Sequence, residues 1–491
     1  MKSKFSKVLS ILLSVVLVIS SFYLLYQVIR LNVLPSKFLF PLTIGVVVLD
    51  AICILLLIYF SKNVVSKIVC IVLTLFICVA SCMGGYYISK TQNVLSSITN
   101  VAKHAKNTVS VVVKESSSIK NKSQLNGVSV GSLRLNEQGS KKALKELSGE
   151  GIVLNQTEYD SMTALLEAFY NGDVDSIIIN ESSRSQILDI EAYSNFDSNT
   201  RVVYQTSYKV KNNDSATSVS DITSKPFNVL ISGSDTRGGF DENGRSDVIM
   251  IATVNPKTHT ILLTSVPRDF YVTTACDAGD GCMQGALDKI THTGIHGTNT
   301  TKRTVEQLLG IEINYTFKVG FDTVTELVDV LGGVDVYVEP GYATTTSQFS
   351  VHEGVNHLNA EQALAFARER YSYTEGDRQR TKNQQQVLMG IVKEATKPGV
   401  ITNYAAIMDT MANTFSTTMS NEEITDLIKY QLNNNPTWKM EQYMVDGTGD
   451  TLMCAELGDA ASVMVPDQST VKMAKDKINA VLAGKSSEDV K

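Results

Sequence analysis

The chain has 491 residues, too many for one ordinary soluble domain. Only 19% are charged and the mean hydropathy is slightly positive, +0.02, which excludes a wholly water-exposed enzyme and calls for membrane segments joined to a soluble part. Residues 1–90 hold eight Lys/Arg and one acid, Asp50, so the rest carries a net charge of −13; a soluble part that acidic excludes non-specific nucleic-acid binding, which needs a basic footprint.

Three apolar runs come first, Val8–Ile29, Phe38–Phe60 and Ile68–Ile88. Each has about the ~20 residues that cross a bilayer. The first follows Lys2, Lys4 and Lys7 as a signal peptide would, but it is long, lacks a small-residue cleavage site and is followed by two further runs, so it reads as a retained helix. The lysine bias favours a cytoplasmic N-terminus, and three crossings then place everything after Ser89 outside the cell. Asp50 falls inside the second run without a visible partner. Cys53, Cys70, Cys78 and Cys82 lie in these runs as small apolar fillers. Cys276 and Cys282 flank DAGDG; a local disulfide fits there if the segment is extracellular, better than a metal site, because no CxxC or His pairing stands near.

The chain divides into a membrane region, 1–90; a stalk or helix, 91–106; a small α/β accessory domain, 107–213; an α/β/α sandwich, 226–482; and a polar tail, 483–491. In the accessory part SVVVK, GVSVGSL, DSIIIN and RVVYQTSYKV read as strands, with helices at Lys141–Leu147 and Asp160–Tyr170. The run from LNGVSVGSL to DSIIINE looks like half of a periplasmic solute-binding domain. No catalytic cluster appears in it, which favours an accessory or interaction role. Asn212–Ser224, rich in Ser, Thr and Asn, reads as a linker. From Phe227, the runs FNVLIS, DVIMIATV and TILLTSV are almost continuously apolar, as strands buried on both faces are. Helices are expected at Thr300–Leu309, Phe321–Leu331, Ala360–Glu369, Gln384–Ala395, Tyr404–Phe415, Asn421–Leu432 and Val465–Leu482, with strands at Tyr315–Val319 and Val334–Val338. This alternation gives a layered α/β/α sandwich.

Three stretches of this sandwich carry candidate chemistry. In SGSDTRGGFDENGRSD, Asp235 follows the first buried strand, and Arg245 and Asp247 stand at the start of the second. Strand ends of α/β sheets are where ligands bind, and two carboxylates at adjacent ends suit one divalent cation, magnesium first; ordinary turn chemistry is the competing reading. In SVPRD, Arg268 follows the third strand, as a ligand contact or as half of a surface pair with Asp269. In AFARERYSYTEGDRQRTKNQQQ, Arg368, Arg370, Arg378 and Arg380 fall within thirteen positions, a third of the chain's 12 Arg. A guanidinium fork matches phosphate oxygens, while the interleaved acids allow a merely solvated turn. Arg368 and Arg370, two apart, point different ways on a helix, so the helix is expected to end there, and Arg378 reads as a surface residue. Together the stretches suit a pyrophosphate held with a metal, and hence phosphoryl transfer.

These motifs, with FDTVTELVDVLGGVDVYV and HLNAEQALAFARER in the same order, resemble the LytR-CpsA-Psr (LCP) family, and the three spans plus accessory domain resemble its capsule-locus CpsA-type members. The resemblance implies a membrane-bound, multi-pass transferase at the outer face of the cell membrane of a Gram-positive cell. It would move capsular polysaccharide from undecaprenyl pyrophosphate to peptidoglycan in capsule biogenesis, with polyprenyl pyrophosphatase as a side activity and other capsule-assembly proteins as partners. Asp235 and Asp247 would hold Mg²⁺, with Mn²⁺ as a substitute. Arg245, Arg268, Arg368, Arg370, Arg380 and Gln384 would bind pyrophosphate, Asp377 would orient them, and Asp235, Asp247, Arg268 and Arg368 would form the catalytic set. Many members have Arg where this chain has Asn383. Val229, Ile231, Ile249, Val324, Leu327, Val328 and Leu364 are candidates for a polyprenyl slot, or plain core. The alternatives are a membrane regulator of capsule expression and a binding module without chemistry. With about seven residues before the first run, direct DNA binding is not expected.

Overall fold

The computed structural model describes residues 2–60, 63–99, 104–134, 137–234, 242–277, 282–397, 406–407, 410 and 415–491. The chain packs as two compact units. One comprises Met1–Thr99, Lys393–Ala412 and Ser420–Thr437, the other Asn100–Val392, Asn413–Met419 and Trp438–Lys491.

In the first unit, α1 (Lys2–Leu31), α2 (Ser36–Leu55, continued by a wide turn over Leu56–Phe60) and α3 (Val64–Thr99) follow the three apolar runs. The segments Lys7–Leu31, Ser36–Phe60 and Val64–Thr99 are long and apolar enough to cross a membrane. Their outward faces are apolar, with Phe22, Phe40 and Phe76 exposed. Such faces suit hydrocarbon rather than water. The third helix runs on to Thr99, through the first half of the expected stalk. Buried Asp50 does have a partner: the Ser21 hydroxyl donates to Oδ1 at 2.9 Å.

The second unit is built on two principal sheets, with four two-stranded ones beside them among the described residues. The accessory one has strand order β3-β2-β4-β1-β5, built from β1 (His104–Lys114), β2 (Ser129–Leu133), β3 (Asn155–Tyr159), β4 (Ser176–Asn180) and β5 (Thr200–Lys211). Helices α4 (Glu137–Gly149), α5 (Met162–Asn171), α6 (Arg184–Asp189) and α7 (Phe196–Asn199) connect and cover it. The α5 helix is capped by the Ser161 hydroxyl, and it stops at Gly172, whose φ of 88° is the left-handed conformation a side chain disfavours.

The larger sheet is six-stranded, order β16-β11-β6-β7-β8-β17. The three apolar runs form its centre, β6 (Phe227–Ser234), β7 (Ser246–Asn255) and β8 (Thr260–Val266). They pair antiparallel in sequence order. After the hairpin β9 (Tyr271–Thr273) and β10 (Leu287–Lys289) come a 3₁₀ segment (Ile290–His296), α8 (Thr298–Leu309), β11 (Tyr315–Gly320) and α9 (Phe321–Leu331). Strands β12 (Val334–Val338), β13 (Thr344–Thr345), β14 (Ser350–Val351) and β15 (Gly354–Leu358) lead to α10 (Ala360–Arg368) and α11 (Asp377–Ala395). Then follow β16 (Phe415–Thr417), α12 (Asn421–Asn434, in the first unit), β17 (Lys439–Met444), β18 (Gly447–Cys454), β19 (Asp459–Pro466) and α13 (Gln468–Leu482). Val305 and Leu309 of α8 and Val471, Ala474 and Ile478 of α13 bury one face of the sheet against Leu230, Ile249, Ile251 and Leu262. On the opposite face, Gln385 of α11 donates to the Leu263 carbonyl and the Ser265 hydroxyl. Beside α11, α9 and α10 enclose a further core around Val328, Val336, Phe349 and Phe366. This is the layered α/β/α arrangement.

Three expectations change. The helix at Val465–Leu482 begins only at Gln468: β19 runs to Pro466, and Asp467 caps the helix by accepting from the Ser469 amide. Proline supplies no amide to a helix, and its predecessor favours extended backbone. The helix expected at Tyr404–Phe415 lies mostly outside the described residues, and Phe415 opens a strand. Asn212–Ser224 is not a free linker. The Thr217 amide bonds to the Asn314 carbonyl, the Val219 amide to the Tyr315 hydroxyl, and Lys302 to the Ser215 carbonyl. The accessory sheet also shares core with the β18–β19 hairpin: Cys454, Leu457 and Val463 pack with Leu133, Phe169 and Ile187.

Asp214, in that docked segment, accepts from the Thr316 hydroxyl through Oδ2 at 2.8 Å, while its other oxygen is shielded from solvent without a partner. Burial pushes its carboxyl up from 3.8 to about 6, against Thr316, Lys302 and Lys318. A raised acid stabilises the fold fully only below its unfolded value, and that contribution is lost as the pH rises through the folded one, here about 3 kcal/mol in all. Asp214→Asn is expected to stabilise the protein by about 1–3 kcal/mol near pH ~7.5 and to give little near pH ~4. Urea unfolding at the two values checks this; equal effects at both would show that the carboxyl is not protonated in the folded state.

Candidate functional site: a guanidinium cluster at the sheet edge

The β7–β8 register opposes Ile249 to Val266, so the start of β7 and the end of β8 share one edge. The end of β6 reaches the same edge, where Ser234 opposes Ser246. Antiparallel pairing therefore brings Arg245 and Asp247, just before and inside β7, beside Arg268, two residues past β8. Arg268 Nη1 donates to Asp247 Oδ1 at 3.0 Å, and the Thr291 hydroxyl donates to the same oxygen at 3.1 Å. Arg245 Nη2 stands 3.7 Å from Asp247 Oδ2.

Thr291 is carried by the 3₁₀ segment, whose amide bonds to the Arg268 carbonyl at 3.0 Å. That segment is locked to the sheet by a chain of hydroxyls at 2.9 Å spacing, Ser232–Ser246–Thr301–Thr293. At Gly294 an added Cβ would lie 2.5 Å from the Gly244 carbonyl and from the Ser246 amide and hydroxyl. Any side chain there would push the segment away from the edge that Asp247 occupies.

The Arg-rich stretch arrives from α10 and α11. An Asn359/Gln362 capping box starts α10, which stops at Arg368 because Glu369 turns extended. Arg368 and Arg370 are thus on different backbone, as expected. Arg368 is exposed on the last helical turn. Arg370 is half-buried and lies over the Tyr371 ring at 4.7 Å. One turn into α11, Arg380 pairs with Asp377. Gln384 follows Arg380 by four residues, on the same helix face. Arg378 instead bonds to Asp446 at 2.6 Å and to the Gly447 carbonyl, on the surface. Asn383 is buried: it donates to the Phe366 carbonyl and accepts from Gln379, tying α11 to the end of α10 rather than facing a ligand.

Electrostatics join these parts. Burial alone would raise the Asp247 carboxyl, but Arg245, Arg268 and Arg380 hold it below the ordinary carboxylate range. Burial opposes the charge on Arg268, which Asp247 and Asp269 restore. Arg380 is lowered by burial and by the repulsion of Arg268 and Arg370, against Asp377 and Asp247. The buried Nε atoms of Arg268 and Arg380 have no hydrogen-bond partner among the described residues; for Arg268, Asp269 lies 3.8 Å away. Each orphaned donor costs about 1–3 kcal/mol. Buried like charges with unused donors are the complement of an anion with several oxygens.

Asp235 lies outside the described residues. Among the described residues no three His, Cys, Asp or Glu cluster as a metal site. Asp247 still suits a hard cation: it is ionised, and Oδ2 takes no hydrogen bond at its 3.7 Å separation from Arg245. Magnesium takes one or two carboxylates together with ligand oxygens. Of the expected polyprenyl-slot residues, Val229, Ile249 and Val328 are core, with Ile249 on the α8–α13 face, whereas Ile231, Val324, Leu327 and Leu364 are half-buried. Cys276 and Cys282 are disulfide-bonded.

Two participants escaped the sequence reading. Thr291 sits in ITHTGIHG, which has no distinguishing pattern. Asp189 pairs with Arg245 from the end of α6, 56 residues upstream. No local signal could have linked it to the site.

Comparison with known proteins was made on this background. Residues 192–480 match the model of the LytR_cpsA_psr family. A polyisoprenyl-teichoic acid–peptidoglycan teichoic acid transferase, TagU, of Bacillus cereus (strain AH820) is 30% identical over 243 residues, 49% of this chain and 77% of that protein. The protein of the same name from Bacillus subtilis (strain 168) is 34% identical over 203 residues, 41% of this chain and 63% of that one. The crystal structure of B. subtilis TagU superposes with a TM-score of 0.41 at 28% identity, covering 52% of this chain and 97% of that one.

The cluster generates a prediction that needs no substrate. Inorganic pyrophosphate is expected to stabilise the folded protein by about 2.7 kcal/mol at a hundredfold excess over Kd, and so to raise the unfolding midpoint. Arg380→Met should raise the midpoint without ligand, by removing a repelled buried cation, and lose most of the ligand increment. Calorimetric scans check both; an undiminished increment in the variant would remove Arg380 from the anion site.

Proposed function

The chain belongs to the LytR_cpsA_psr family, and on that premise we propose that it is a membrane-bound phosphotransferase. It moves a glycopolymer, capsular polysaccharide, from undecaprenyl pyrophosphate to peptidoglycan at the outer face of the cell membrane. The observation that carries this reading is the set of largely shielded guanidiniums around ionised Asp247, two of them with Nε donors that have no partner among the described residues. The B. cereus relative's name describes the same class of transfer, from a polyisoprenyl-linked polymer to peptidoglycan.

Phosphoryl transfer asks the protein mainly to position the reactants and neutralise charge. The acceptor hydroxyl oxygen bonds to the sugar-linked phosphorus, the anhydride P–O bond breaks, and polyprenyl phosphate leaves. Arg268 and Arg380 meet the charge gathering on the phosphoryl oxygens, with Arg245, Arg368, Arg370 and Gln384 at the margins. Asp377 holds Arg380 in place. Asp247, pulled low by its guanidiniums, is a poor proton acceptor and a good cation ligand, which leaves Asp235 as the candidate base. Magnesium, held by Asp247 and Asp235, would neutralise the pyrophosphate. Half-buried Ile231, Val324, Leu327 and Leu364 would flank the lipid tail. Water in place of the sugar hydroxyl gives the pyrophosphatase side reaction.

Three crossings from a cytoplasmic N-terminus put the catalytic body outside, where the Cys276–Cys282 disulfide is at home. In membranes holding the full chain, Asp247→Ala and Arg268→Ala are each expected to cut polymer transfer to peptidoglycan by about 10²–10³-fold. Chelation should stop turnover of lipid pyrophosphate and added Mg²⁺ should restore it. Intact transfer in both variants would sink the reading, and turnover indifferent to chelation would remove the metal from it.

A further inference from the structure

The loop between α10 and α11, residues 369–376, is bounded by the anion cluster at both ends. Arg368 precedes it, and Asp377 with Arg380 follows it. Within it, Arg370 is close enough to Arg380 to repel its charge. The rest of the loop is of a different character. It reads ERYSYTEG, with two carboxylates against one guanidinium, and the hydroxyls of Tyr371, Ser372, Tyr373 and Thr374. Tyr371 is 84% exposed, the most exposed large apolar side chain among the described residues. An exposed apolar residue is ordinary in itself. This one is held in place. Its amide and that of Ser372 donate to Glu369 Oε1 at 2.7 and 2.9 Å. Arg370 lies over its ring and donates to its hydroxyl. Farther along, the Tyr342 hydroxyl donates to Glu375 Oε1 at 3.0 Å, and the Gly376 amide bonds to the Tyr373 carbonyl at 3.2 Å. The ring is a fixed flat surface, backed by a guanidinium and open to solvent.

We infer that Tyr371 is the platform of an acceptor subsite, on which a sugar ring of the peptidoglycan strand stacks while its hydroxyl reaches the neighbouring pyrophosphate site. A tyrosine offers contact area at a low cost in side-chain entropy, the more so when already pinned. Hydrogen-bonding groups for a sugar stand beside it: the exposed Ser372 hydroxyl and Glu369 Oε2 take no hydrogen bond among the described residues. Two carboxylates against one guanidinium leave the loop slightly negative, which suits a neutral polyol and disfavours a second phosphate. The donor's own sugar is bonded to the pyrophosphate and enters the cluster with it. An acceptor that belongs to a cross-linked network cannot enter, and is met by a group that stands out from the surface. Arg370 then links the two subsites. The inference rests on the transferase reading for the identity of the acceptor, but not for the presence of the platform.

The test uses the full-length protein in vesicles with a lipid-pyrophosphate donor and soluble peptidoglycan glycan strands below saturation. Transfer to the strands and hydrolysis by water are measured together. Tyr371→Leu removes the ring; Tyr371→Phe keeps the ring and loses the bond to Arg370. Both variants lose that bond, so its effect on the donor cancels in the ratio of transfer to hydrolysis. Tyr371→Leu is expected to lower this ratio about tenfold, through a higher KM for the strands, the scale of one lost aromatic anchor. Tyr371→Phe should keep it within about twofold of the wild type. An equal fall in both variants would overturn the inference, since the hydroxyl rather than the ring would then matter. An unchanged ratio in Tyr371→Leu would also overturn it: with a raised KM for the lipid donor the ring would hold the donor's sugar, and without one it would be plain surface. If the wild type turns over no lipid pyrophosphate, the transferase reading falls. Binding of the strands alone, kept in Tyr371→Phe and lost in Tyr371→Leu, still decides this one.

Discussion

The cluster depends on one largely shielded carboxylate. Asp247 sits where three strand ends meet, and it is the charge around which Arg245, Arg268 and Arg380 can be held together at all. Neighbouring guanidiniums repel each other: Arg380 is lowered by burial first, and then by Arg268 and Arg370. In a low-dielectric setting that repulsion is large, and a single carboxylate in good geometry offsets only part of it. What remains is borne by Asp377 and Asp189 at the margins, each pairing with one arginine. Among the described residues the Nε donors of Arg268 and Arg380 stay without acceptors, and this shortage suits an anion better than a closed salt-bridge network would.

The fold supplies the rigidity such a cluster needs. The hydroxyl chain from Ser232 to Thr293 passes through Ser246, the residue before Asp247, and its members are buried. It replaces apolar packing with directional bonds where β6, β7, the 3₁₀ segment and α8 converge, which fixes register as well as distance. Gln385 does similar work on the other face, tying α11, and so Arg380, to β8 and β17. The arginines are long and flexible, but the backbone positions that carry them are not free to separate.

Much of this was legible in the chain because strand ends are visible in sequence. FNVLIS, DVIMIATV and TILLTSV are apolar enough to locate their own termini, so Asp247 and Arg268 could be assigned to one rim before any coordinates. The break between Arg368 and Arg370 was legible from helix geometry, and Arg378 lies on the surface as expected. What sequence could not show were contacts made across long separations by ordinary residues. Thr291 and Asp189 belong to no motif. Asn212–Ser224 has the composition of a linker, yet its backbone is bonded to β11 and its approaches. Polar composition reports low hydrophobic drive and is silent about hydrogen bonds to a neighbouring backbone. The helix boundary at Pro466 was misjudged for a related reason: an alternating strand ran directly into a helix, and only the Asp467 cap separates them.

The charge of the whole chain sets a condition on the proposed function. Outside residues 1–90 the protein carries a net charge of −13, while its cluster suits an anion. At physiological ionic strength the Debye length is about 8 Å. A dissolved polyanion would therefore meet a repulsive surface first and the guanidiniums only at contact, the reverse of electrostatic steering. A donor fixed in the same membrane as the protein does not need steering, because encounter in two dimensions replaces it. On the proposed function, the acidic surface would discriminate against free phosphates and other soluble anions at little cost to a membrane-bound donor. On this view the apolar helices contribute to specificity as well as to anchoring, since they confine the search to the one surface where a lipid-linked pyrophosphate is found.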